Sequence, residues 1–126
     1  MRIVSVILVL ALALAACAKL QKPVLLTKGQ ENSVTVKASN FDFTPNHFET
    51  HQGATIVFTI ENVSGSNHNF TLKDPEGKIL QSVDVAPQKS VKIRAAFPRA
   101  GVYPFYCNRT FHRTMGMEGQ VTVVSK

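Results

Sequence analysis

The chain has 126 residues and carries 14 Lys or Arg against 8 Asp or Glu, a formal net charge of +6. That length holds one domain and leaves no room for a multidomain enzyme. The basic residues are scattered (Lys73, Lys78, Lys89, Lys92, Arg94) with no aromatic stacking motif among them, so nucleic-acid binding has no support.

Met1-Arg2 supplies a positive start, and Ile3 to Ala15 is apolar except for Ser5. This pattern predicts an export signal over residues 1–16. The run falls short of the roughly 20 residues a membrane-spanning helix needs. Leu14-Ala15-Ala16-Cys17 resembles a bacterial lipobox, in which the cysteine is lipidated and becomes the first mature residue. The alternative is an ordinary signal cleaved nearby, with Cys17 incidental. Residues 18–32 show no sustained period and few apolar positions, which predicts a tether; with the lipidated N-terminus that the lipobox resemblance implies, it makes up residues 17–32. Residues 33–126 then form the domain.

From Ser33 the pattern takes on period two, with Val34, Val36 and Ala38 alternating against Thr35 and Lys37. Further strands are predicted at Phe48 to Thr50, Ala54 to Asn62, His68 to Lys73, Lys78 to Asp84, Ser90 to Ala96, Gly101 to Tyr106 and Gly119 to Ser125. Turn chemistry separates them at Gln52-Gly53, Ser64-Gly65-Ser66, Asp74-Pro75-Glu76-Gly77, Ala86-Pro87 and Arg99-Ala100-Gly101. About eight short strands at this spacing predict an all-β Greek-key sandwich or barrel. Phe41, Phe43, Phe58, Phe70, Phe97 and Phe105 are the expected bulk of its core.

The loop between the last two predicted strands reads Cys107-Asn-Arg-Thr-Phe-His112-Arg-Thr-Met115-Gly-Met117. A thiolate, an imidazole and a thioether on one loop, with a second imidazole upstream at His68, make the mixed-softness set that selects copper for electron transfer. Cysteine arithmetic agrees: if Cys17 carries lipid, Cys107 has no disulfide partner, and coordination would occupy the unpaired thiol of an exported protein. His47 and His51 stand four residues apart on a strand, which spans roughly 13 Å and keeps them from sharing an ion. They are expected as surface histidines.

His68-Asn69-Phe70, Tyr103-Pro104-Phe105-Tyr106-Cys107, His112 and Met117-Glu118-Gly119 together resemble the cupredoxin family of small type 1 blue copper proteins, over about residues 33 to 125. The resemblance implies one copper ion held by His68, Cys107, His112 and an axial methionine, Met117 rather than Met115. It implies also that Asn69 ties the first-His strand to the ligand loop at Asn108 while a backbone N–H reaches the sulfur. The function implied is a one-electron carrier, not an enzyme, at the bacterial cell envelope. The lipid would hold it at the membrane, a monomer facing the periplasm or exterior and exchanging electrons with cytochromes or oxidases. Arg109 and Arg113 beside His112 predict a basic docking face for an acidic partner. The alternative function is copper storage or delivery.

Overall fold

The computed structural model describes residues 19–27 and 31–125, so the predicted signal segment and Cys17 lie outside the described residues. Ten strands follow in chain order: β1 (Val24–Leu25), β2 (Glu31–Ser39), β3 (Asp42–Thr44), β4 (His47–His51), β5 (Ala54–Asn62), β6 (His68–Lys73), β7 (Ile79–Val85), β8 (Ser90–Phe97), β9 (Gly101–Tyr106) and β10 (Glu118–Val124). They form two sheets, β1-β4-β10-β9-β6-β7 and β3-β2-β5-β8. No described helix is long and apolar enough to cross a membrane.

Period two explains the sandwich. In β5 every second residue from Ala54 to Asn62 is buried, and the others are half-buried. Burying one face of each sheet against the other removes both apolar surfaces from water. The aromatic centre is Phe43, Phe48, Phe58, Phe70, Phe97, Tyr103 and Phe105, all at most 1% exposed. Phe70 stacks on Phe105 with ring centroids 4.9 Å apart, and Phe43 meets both edge-on at 5.6 Å. Phe41 departs from the expectation: it is only half-buried, at the rim of the core, and its ring goes to the site described below. Phe48 takes the place expected of it.

Two strands exceed the eight expected, β1 and β3, and both are too short for periodicity to register. β1 lies within the stretch 17–32 expected as a tether. Residues 19–27 lie against the fold: Val24 and Leu25 pair in parallel with Phe48 and Glu49, and Leu26 N–H donates to Glu49 O at 2.9 Å. The sheet also starts earlier than residue 33, because Glu31 and Asn32 already pair with Thr55 and Ile56. Strand direction sorts the connections into two ends. The links 40–41, 63–67, 86–89 and 107–117 gather at one end, and the turns at 52–53, 74–78 and 98–100 at the other.

Candidate metal centre

β9 and β10 run antiparallel with Tyr106 opposite Glu118, so the loop 107–117 closes a hairpin at the first of these ends. Its two mouths are joined where Cys107 N–H donates to Met117 O at 3.1 Å. Within it the chain folds into successive turns: His112 N–H donates to Arg109 O, Met115 N–H to Phe111 O, Gly116 N–H to Arg113 O and Met117 N–H to His112 O, all at 3.0–3.1 Å. Gly116 has φ of 104°, a conformation side chains rarely adopt, and it lets Met115 and Met117 take opposite fates. Met117 is 0% exposed and Met115 is 57% exposed.

These turns bring His112 back over Cys107, with Nδ1 3.3 Å from Sγ. His68, the first residue of β6, projects into the same space, its Nδ1 3.3 Å from His112 Nδ1. Ligand atoms of His68, Cys107 and His112 all lie within 4.8 Å of one another. The hydrogen-bond network assigns the His68 tautomer. Its Nε2 faces Asn40 Oδ1 at 3.0 Å, which can only accept, and Ser64 Oγ at 2.9 Å. The Ser64 hydroxyl donates to Asn62 Oδ1 at 2.8 Å and is left to accept from the ring. Nε2 therefore carries the proton, and Nδ1 presents a lone pair to the centre. Burial first, then the neighbouring His112 and Arg109 charges, hold His68 below its ordinary pKa, and burial with Arg109 does the same to His112. Neutral imidazole is the form that binds a metal.

Asn69 connects the strand to the loop. Its backbone N–H donates to Cys107 Sγ at 3.3 Å, and its Oδ1 accepts from Asn108 N–H at 3.4 Å and from the Thr71 hydroxyl at 2.6 Å. Asn69 Nδ2 donates to Asp84 Oδ1 at 3.0 Å, so all its polar atoms are engaged although the residue is buried.

Sequence reasoning missed Asn40, Phe41 and Ser64. Ser64 was legible only as a turn residue, and nothing near Asn40 or Phe41 signals a site. Both sit in the β2–β3 connection, where Phe41 meets the His112 ring edge-on with centroids 4.9 Å apart. The two loop arginines are less free than expected. Arg109 reaches Asp84 at 3.5 Å, and Arg113 pairs with Glu118 at 2.9 Å while lying 4.2 Å from the centroid of the Tyr106 ring. Their charge is locally balanced. His47 Nδ1 bonds Gln21 O and its Nε2 bonds Thr122 Oγ1, so it serves the fold. Among the described residues, no second cluster of three His, Cys, Asp or Glu could hold a metal.

The Cupredoxin-like domain family matches residues 4–123. The chain belongs to the cupredoxin family. It is 39% identical over 95 residues to plastocyanin of Vicia faba, covering 64% of this chain and 86% of that protein. In fold it is similar to dithionite-reduced auracyanin from Roseiflexus castenholzii, with a TM-score of 0.65 and 20% identity over 78% of this chain and 99% of that one. Auracyanin A from Chloroflexus aurantiacus, a "blue" copper protein, has a TM-score of 0.66 and 17% identity over 75% of this chain and 99% of its own. A thiolate and two imidazoles, with a buried thioether joined to them through the backbone, fit one copper ion.

Proposed function

We propose that this protein is a one-electron carrier built on a single copper held by His68, Cys107, His112 and Met117. The observation that carries this reading is the convergence of one sulfur and two imidazole nitrogens within 4.8 Å at one end of the sandwich. Copper bound there would supply a Cu(I)/Cu(II) couple that takes up one electron and gives it back. The protein's part is to keep its donors still. Asn40 and Ser64 grip His68 from behind, Asn69 N–H points at the sulfur, and Asn108 locks the loop to β6. Hydrogen bonds to the sulfur and the apolar wall around it tune the potential. His112 is the half-exposed member of the set and offers the edge through which a partner exchanges the electron. Storage or delivery would want exchangeable ligands, whereas His68, Cys107 and Met117 are all 0% exposed.

The envelope location is part of the same proposal. It is supported by the export-like pattern of residues 1–16 and the lipobox-like Leu14 to Cys17, which together put a lipid on Cys17 and the domain on the periplasmic or outer side. Partners would be redox proteins such as cytochromes or oxidases. The test is an optical and EPR titration of purified protein with one equivalent of Cu(II). Intense visible charge-transfer absorption is expected from wild type and none from Cys107→Ser. Failure to bind copper tightly, or a Ser variant that stays coloured, would overturn the ligand set.

A further inference from the structure

The N-terminal arm leaves the fold at the ligand-loop end. Because β1 runs parallel to β4 and β10, the residues preceding it lie beside the start of those strands, where β10 emerges from the loop 107–117. Asn46, 5% exposed, pins them: its Nδ2 donates to Lys19 O at 3.2 Å, its Oδ1 accepts from Gln21 N–H at 2.8 Å, and its backbone N–H donates to Gln21 Oε1 at 3.2 Å. Leu20 then lines a groove of about 260 Å³ with Pro104, Arg113, Glu118, Gly119 and Gln120. The arm is thus fastened to the wall that carries the ligand loop.

We propose that this arm is an orienting strut which turns the ligand-loop end, His112 included, towards the membrane holding the lipid on Cys17. The inference rests on the lipid-anchor reading above. Lys19 is two residues from Cys17, a reach of at most about 7 Å. Had the chain left at the opposite end, the site would stand the length of β10 farther out, about 20 Å. The surface at this end suits the interface of a bilayer. Phe111 is 76% exposed, Met115 57%, Val63 49% and Leu20 42%, and all four occupy the loops or arm gathered there. Lys19 and Lys89 belong to the same end, beside Asp42 and Glu61 and beyond the arginines already paired with Asp84 and Glu118, so the apolar tips lead the seating. Apolar tips at headgroup depth beside cations facing lipid phosphates are the recipe for interfacial seating. A partner reaching His112 would then be seated in that same membrane.

The experiment uses the full lipidated chain in vesicles of phosphatidylcholine and phosphatidylglycerol, with Cys17→Ser in solution as reference. Hydroxyl-radical labelling is read by mass spectrometry at Phe111 and Met115, against Ile79 and Val102 at the opposite end. Labelling of Phe111 and Met115 is expected to fall several-fold on vesicles while Ile79 and Val102 are unchanged. A flexible Gly-Ser spacer inserted between Ala18 and Lys19, ahead of the contacts that Asn46 makes with the arm, is expected to restore labelling without releasing the chain. Wild type that floats with vesicles yet labels like the soluble reference overturns the orientation and leaves the anchor standing. Protection that survives a long spacer overturns the strut. A wild-type chain that stays in the supernatant overturns the anchor and the orientation together.

Discussion

At the scale of single residues, the site divides its labour between atoms that would face a copper ion and atoms that hold those atoms still. Met117 and Met115 follow His112 at similar distance in sequence, yet one is enclosed and the other open to solvent. Met117→Leu is therefore expected to raise the reduction potential and preserve the colour, because a thioether would bond copper weakly and its loss would favour Cu(I). Met115→Leu should change neither; protein-film voltammetry of both variants separates them. Asn40 and Ser64 reach the site through His68. Removing both acceptors, as Asn40→Ala with Ser64→Ala, frees the ring to turn and switch tautomer. By the usual effect of losing such supporting bonds, copper affinity should fall about 10- to 100-fold. A competition titration with a coloured chelator measures this, and Ser64→Thr, which keeps a hydroxyl, should be milder than Ser64→Ala.

At the scale of elements, the β9–β10 hairpin is held where β10 begins to pair with its neighbours. A Cβ on Gly119 would run into the Asn46 carbonyl and the edge of the Phe105 ring. Backbone and a core aromatic cannot both give way, so Gly119→Ala should cost about 1–3 kcal/mol by overpacking, visible as a lower urea midpoint. The same clash presses on Asn46, so this variant should also loosen the arm at Lys19. At the other end of the sandwich, the β6–β7 turn is organised by Asp74, whose Oδ1 accepts from Lys78 N–H at 2.8 Å and Glu76 N–H at 2.9 Å. Chiefly the Lys78 amide, with help from Glu76 and Arg99, holds the Asp74 carboxyl below its usual pKa. A carboxyl depressed in the folded state stabilises above its unfolded value and loses that contribution as pH falls through the folded one. Asp74→Asn should accordingly flatten the loss of stability below about pH 4, measured by urea melts across a pH series.

At the scale of the whole molecule, charge and shape meet at the ligand-loop end. An acidic partner would have to compete with Asp84 and Glu118 for Arg109 and Arg113, so electron exchange with it should depend only shallowly on salt. Stopped-flow rates over a salt series, for wild type and an Arg109→Gln, Arg113→Gln double variant, check this; a steep wild-type slope lost in the variant would show the pairs opening on docking. The two-sheet architecture, the longer strands and the candidate ligands were legible in the chain. Period-two alternation and turn residues are local signals, and soft donors on one short loop declare their chemistry by type and spacing. Short strands were not legible: β1 and β3 exist because neighbouring strands offer them hydrogen bonds, not because two or three residues prefer to be extended. The same holds for Asn40, Phe41 and Ser64, which become part of the site only when the β2–β3 and β5–β6 connections fold over His68 and His112. Donor type is written in each residue, whereas the separation of Met117 from Met115, the balancing of the arginines and the end at which the arm departs are settled only where distant strands pair and pack.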